Sequence, residues 1–270
     1  MEIVNSDGKE LPIPQIQLSR KVIGFRRILI HFINQKVITF LGHFDRFFAT
    51  CETTLSITST SVRISEFVMI NILPLLKDTI HDMALDTVNL RQMRQFDPSI
   101  LCNCPSLRFV NFYDNIYLEF PPDDSANASD GQAVAKWMFT PRHDNLPKML
   151  NIDNSTMEQW LANVEQIKAA FSIASSPVRF RFVVDFPLSS SLSSVVPFEL
   201  TNEFTGEKLT VSQHANTFKI IRRPIVPKKK LQKTVELNDR WNQIYILIGD
   251  DDDCLLDSAV SSPAGPSGHQ

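Results

Sequence analysis

Cys102 and Cys104, one residue apart in "LCNCPSL", are the first residues in this chain whose types could do chemistry together. Zinc needs four ligands in a tetrahedron, which sequences supply as two Cys/His pairs with about two to four residues inside each pair. No second pair at such spacing accompanies Cys102 and Cys104, and Cys51 and Cys254 stand alone. They read as buried helix-end cysteines rather than a metal site. His31, His43, His81 and His214 are isolated, and His143 in "PRHDN" is a kinase-loop triplet with its letters permuted and no Gly-rich loop to serve. Asp123 and Asp124 are paired carboxylates, but adjacent carboxylates in a polar loop lack the fixed geometry that acid–base work needs. No G-x-S-x-G elbow, P-loop or H-E-x-x-H occurs. The sequence therefore assigns no catalytic residue, no cofactor and no metal ligand, and reads as a protein without enzymatic activity.

Composition narrows the class further. A 270-residue chain that is 43% hydrophobic can bury a sizeable core. A net charge of −3 gives no basic footprint for phosphate neutralisation, so nucleic acid is not the expected partner. "PKKK" (Pro227–Lys230) is shorter than the usual basic cluster and reads as a solvated turn. No stretch is long and apolar enough for a membrane span, and the N-terminus has no secretory pattern. Cysteine usage without an export signal points to cytoplasm or nucleus.

The elements that must position any site follow from a repeat. Strand-like runs begin at positions 25, 53, 81, 107, 147 and 177, at intervals of 28, 28, 26, 40 and 30. They are Phe25–Phe32, Thr53–Thr60, His81–Val88, Leu107–Asp114, Pro147–Asn154 and Pro177–Phe186. Apolar residues at helical spacing lie between them. Asn34–Phe48 carries Val37, Phe40, Leu41 and Phe44, and Thr156–Phe171 carries Met157, Trp160, Leu161, Val164 and Ile167 behind a Thr156 or Ser155 cap. Ile64–Leu76 should end or kink at Pro74, and Leu90–Cys104 should break at Pro98.

Strand and helix alternating at this period predict an α/β fold: leucine-rich-repeat-like βα units forming a curved, mostly parallel sheet. A doubly wound sheet is the alternative. The near-constant spacing and the lack of a Gly-rich strand-to-helix turn favour the repeat. The expected organisation is an N-terminal extension (1–21), the repeat domain (22–186), a β-rich C-terminal cap (187–249) and a disordered acidic then Ser/Pro/Gly tail (250–270). The cap is read from "PFELTNEF", "KLTVSQ", "FKIIRRPI" and a last strand, "NQIYILIG", behind the serine-rich "PLSSSLSSVV".

The 40-residue interval is the anomaly, and it contains "FPPDDSANASDGQAVAKW" (Phe120–Trp137). Pro121 and Pro122 stop the preceding segment, and Asp130 is the expected N-cap of the helix that follows. Insertions in repeat proteins map to loops on one face, often the binding face. The loop is either a structural cap of its repeat or the lip of a recognition surface. Its candidate partner-binding residues are Asp123, Asp124, Asn127 and Asp130, with Arg142 and His143 downstream.

Several stretches carry a family likeness: "LPIP" (Leu11–Pro14), "VIGF" (Val22–Phe25), "MRQFDPSIL" (Met93–Leu101), the Phe120–Leu150 block, "PFELTNEFTGEKL" (Pro197–Leu209), "RRPI" (Arg222–Ile225) and "RWNQIYI" (Arg240–Ile246). Over Leu11–Asp257 the chain resembles the region downstream of the F-box in a large, divergent family of nematode F-box proteins. That resemblance implies a non-enzymatic adaptor that presents a protein substrate to a cullin–RING ubiquitin ligase through the Skp adaptor. The F-box module itself is not read here, because "LPIPQIQLSRKVIGFRRILIHF" runs directly into the first repeat strand. A free-standing interaction scaffold without ligase coupling is the other reading.

Overall fold

In the computed structural model of the chain, the residues described are 2–4, 10–12, 27–30, 35–42, 53–58, 62–153, 155–186, 197–225 and 243–246. The second half of the expected first helix (43–48), the serine-rich linker (187–196), "PKKK" (227–230) and the tail (250–270) lie outside them.

One 12-stranded sheet organises these residues. Its strands are β1 (Glu2–Val4), β2 (Glu10–Pro12), β3 (Arg27–Ile30), β4 (Thr53–Ile57), β5 (Ile80–Leu85), β6 (Phe109–Phe112), β7 (Lys148–Asp153), β8 (Phe180–Asp185), β9 (Phe198–Asn202), β10 (Glu207–His214), β11 (Thr217–Pro224) and β12 (Gln243–Ile246). The order is β2-β1-β3-β12-β4-β5-β6-β7-β8-β11-β10-β9. Strands from β3 to β8 are all parallel, with antiparallel strands continuing each side. The fold is therefore α/β with a mostly parallel central sheet, as the periodicity predicts.

The helices are α1 (Gln35–Gly42), α2 (Val62–Phe67), α3 (Leu73–Leu76), α4 (Thr87–Phe96), α5 (Ile100–Asn103), α6 (Asp130–Phe139) and α7 (Met157–Ser172). Pro74 does not end its helical segment. A π-helical turn over Val68–Ile72 precedes it, and the wider ring accommodates a residue that has no N–H to give. The break at Pro98 falls as expected, between α4 and α5. From β4 to β8 each strand lies beside its predecessor in sequence. Right-handed crossovers taken in one direction place their helices on one face.

Register makes the two faces plain. Ile28, Ile244, Leu55, Met83, Val110, Leu150, Phe182, Ile220 and Val211 form one continuous rung across nine strands, all buried. Trp160 of α7 packs on Phe182 and Phe218, and Phe139 of α6 on Phe180, so this is the helix face. One residue along, the opposite face reads Leu29, Tyr245, Ser56, Ala84, Asn111, Asn151, Val183, Lys219 and Ser212. Parallel strands normally read as continuous apolar runs because helices cover both faces. Here they alternate.

One expected element lies elsewhere. "NQIYILIG" contributes β12, which does not join β9–β11 but inserts in parallel between β3 and β4. Its Ile244 and Ile246 fill the buried rungs between Ile28 and Leu55 and between Ile30 and Ile57. A strand buried on one face is satisfied wherever its alternation fits, and no local signal says which gap it fills.

Candidate functional site

The polar loop of the long interval is built on α4. Arg94, buried on that helix, donates through Nη1 to Asp130 Oδ1 at 2.8 Å. Its Nη2 reaches the carbonyls of Ser125 at 3.1 Å and Ala128 at 2.9 Å, and its Nε reaches that of Pro98 at 3.2 Å. Arg91, one turn earlier, adds a bond from Nε to Asp130 Oδ2 at 3.1 Å. Asp130 is thus an ion-pair partner and not the N-cap. The cap is Ser129, whose Oγ accepts from Gln132 N while the Gln132 side chain accepts from Ser129 N. Ser129 has the extended backbone a cap requires; Asp130 is already helical and sits where the helix dipole favours a carboxylate.

The other candidate residues divide. Asp123 accepts from the Ser125 amide and hydroxyl at 3.0 and 2.8 Å, and those bonds hold its carboxyl below the usual range. The Asp124 carbonyl takes the Ser99 hydroxyl at 3.1 Å, and its side chain meets Cys102. Asn127 is exposed at the tip. Arg142 closes a separate turn, gripping Asp144 with Nε and Nη2 and the Ser106 carbonyl with Nη1; the arginine pulls the Asp144 carboxyl down to about 2. His143 is exposed beside it. The fold therefore gathers Asp123, Asp124 and Asn127 in one loop with Asp130 at the start of the helix that follows it, and holds Arg142 and His143 in another loop.

The loop closes one side of a cleft of about 540 Å³. Its other walls are Thr87, Arg91 and Gln95 of α4 and the stretch from Asn115 to Glu119. That stretch is pinned by Asn163 of α7, which accepts from Leu118 N at 2.8 Å and donates to the Ile116 carbonyl at 3.2 Å. Gly131 completes it because nothing larger fits: a Cβ there would lie 2.0 Å from the Tyr117 carbonyl oxygen.

Among the described residues, those with chemistry to offer do not converge on a metal-holding cluster. Burial raises the thiol of Cys102 to about 11 and that of Cys104 to about 12, so both stay protonated. Burial lowers Lys148 to about 8, and its Nζ donates to the Trp137 carbonyl at 2.5 Å while lying 5.1 Å from that indole's centre. Among the described residues no three His, Cys, Asp or Glu side chains could hold a metal ion. No described helix is long and apolar enough to cross a membrane. His31 and His43 lie outside the described residues.

The polar sheet face is the larger feature, and the loop-centred reading of the sequence misses it. Asn151 donates to Asn111 at 2.5 Å and Asn111 donates to Asp82 at 2.6 Å, a side-chain ladder across β7, β6 and β5. Toward β3, Ser56 bonds the Tyr113 hydroxyl at 3.0 Å and Arg27 lies 5.2 Å from the Tyr245 ring centre. Thr54, Ser56, Asp82 and Ala84 are buried, whereas Asn111, Asn151, Arg181, Val183, Lys219 and Ile221 are half-exposed. At the strand ends Asp153 stands opposite Asp185; burial and then that second carboxylate raise the Asp153 carboxyl. Polar residues at every second position of strands set in a βα repeat were the signal for this face.

Compared with described protein families, with curated proteins and with solved structures, the chain finds no match.

Proposed function

We propose that the chain is a non-enzymatic protein-binding module, resembling the substrate-recognition region of an F-box subunit of a cullin–RING ubiquitin ligase. The observation that carries the reading is a parallel block running in order from β4 to β8 with helices on one face and a polar, partly open face on the other. A doubly wound enzyme binds ligands where its strand order reverses, and β4 to β8 contain no reversal. One-directional stacking is the geometry of leucine-rich-repeat-like units, whose strand face receives protein partners. In this reading β9–β11 act as the C-terminal cap, covering the edge that β8 would leave open. No cofactor or metal takes part. The protein acts in the cytoplasm or nucleus, away from nucleic acid and membrane.

The second reading is a free-standing scaffold without ligase coupling. It is favoured by Leu11 and Pro12, the Leu-Pro with which an F-box would open, which lie in a strand paired with Glu2–Val4 and not at the start of a helix. Affinity purification of the tagged chain from a nematode extract, followed by reconstitution with purified Skp, separates the two. Skp and cullin recovered with a protein substrate support the adaptor; a stoichiometric partner without Skp supports the scaffold. Recovery of neither, with turnover of a small-molecule substrate instead, overturns both.

A further inference from the structure

Three cations stand on the open half of the polar face with no counter-ion among the described residues. Arg181 of β8 lies directly opposite Ile221 of β11, and Lys219 and Arg223 lie two residues to either side of Ile221 on the same face. Neighbouring side chains across and along strands are about 5–8 Å apart, so the three surround Ile221 within one small patch. Among the described residues none of the three forms an ion pair or a side-chain hydrogen bond. Arg181 and Lys219 are half-exposed and Arg223 is exposed.

The surroundings show that this is not incidental to a basic protein. The chain carries a net charge of −3. Lys208, opposite Arg223 on β10, is neutralised by Glu199 of β9 at 2.9 Å. The acid nearest along the strands is Asp185, which stands opposite Thr217, two residues before Lys219, and is engaged in accepting the Thr217 hydroxyl at 2.5 Å; Asp153 lies one strand beyond it. Like charges placed close together are repulsive, and a folded chain gains nothing from three unless something else neutralises them.

We infer that the Arg181–Lys219–Arg223 patch seats an acidic segment of the partner protein. Ile221 gives an apolar floor for one side chain of that segment, and the Asn111–Asn151 ladder offers amides to the backbone beside it.

The inference rests on the binding-module reading, and its test can fail separately from it. The full chain is titrated with fluorescent octaglutamate, octaglutamine and a single-stranded oligonucleotide, and anisotropy is followed at rising salt. Octaglutamate should bind and octaglutamine should not. The triple variant R181Q/K219Q/R223Q should weaken octaglutamate binding at least about tenfold, while R63Q/K77Q, two exposed cations of the helix layer, should leave it unchanged. Matching circular dichroism and melting temperature show that the triple variant is folded. Equal octaglutamate binding by both variants, no binding by the unmodified chain, or tighter binding of the oligonucleotide would each overturn the inference. A purified partner retained in full by the triple variant overturns it while leaving the binding function standing.

Discussion

Arg94 and Asp130 stand 36 residues apart in the chain and meet at 2.8 Å, with 7% and 15% of their side chains exposed. That pair, with the Ser125 and Ala128 carbonyls on the same guanidinium, turns a glycine-free run of Asp, Ser, Asn and Ala into an ordered wall of the cleft. The Phe120–Pro121 bond at its entry is cis. The loop is therefore anchored at its base, and Pro121 and Ser125–Asn127 are its exposed residues.

Replacing Arg94 with Met strands Asp130 beside a single exposed arginine and leaves two loop carbonyls without donors. A loss of about 3 kcal/mol is expected, read by urea unfolding, with new protease cleavage between Pro121 and Ser129 in native buffer. Arg91→Met, whose side chain is 68% exposed, should cost no more than about 1 kcal/mol.

Gly131→Ala tests the approach of α6 to the Tyr117 backbone. A Cβ 2.0 Å from a carbonyl oxygen must displace one of the two main chains. The expected result is a loss of more than about 2 kcal/mol in thermal unfolding. Gly42→Ala is the control, since nothing lies within 4 Å of its Cβ, and it should leave stability unchanged.

Lys148 gives a pH dependence opposite in sign to that of a salt-bridged lysine. Its folded value of about 8 lies below the ordinary 10.5, so the unfolded chain binds the proton more tightly. Stability from this group is lowest below pH 8 and rises as pH climbs from about 8 toward 10.5, by about 3 kcal/mol in all. The cysteines work the other way above pH 9, because their folded values are raised. The comparison is therefore the wild type against Lys148→Met: the variant should melt higher at pH 7, and the gap should close by pH 10.

Arg222 and Glu207 form a pair with 0% and 1% of their side chains exposed between β11 and β10, where burial lowers the arginine and the glutamate works against that shift. The guanidinium also reaches the Ser176 carbonyl at 2.9 Å and lies near the Phe139 and Phe171 rings. Glu207→Gln leaves a buried charge unpaired, and a cost of about 3–5 kcal/mol is expected. Coupling it with Arg222→Met should recover most of that loss, which a double-mutant cycle in urea would measure.

By itself the sequence determined the local elements and their alternation. The strands near 53, 80, 109, 148 and 180, a cap at Ser155 or Thr156 and the break at Pro98 all follow from periodicity, capping chemistry and proline sterics, which act over a few residues; the structure decides for Thr156. The polar interval was legible as a loop for the same reason. Assigning its cap to Asp130 instead of Ser129 was a one-residue choice that capping-box geometry decides, and the Ser129/Gln132 spacing was there to find.

Tertiary structure alone decided the rest. Arg94 is one arginine on an amphipathic helix until the fold brings Asp130 to it, and Asn163 is one asparagine until residues 116–118 cross it. β12 could pair in several gaps of equal local merit, and only the buried rungs of Ile28 and Leu55 select one. Arg181, Lys219 and Arg223 lie on two strands in opposite directions, so their proximity is a property of register. Alternation marks the polar face, but which of its charges and amides meet is fixed by contacts that the chain makes over long separations.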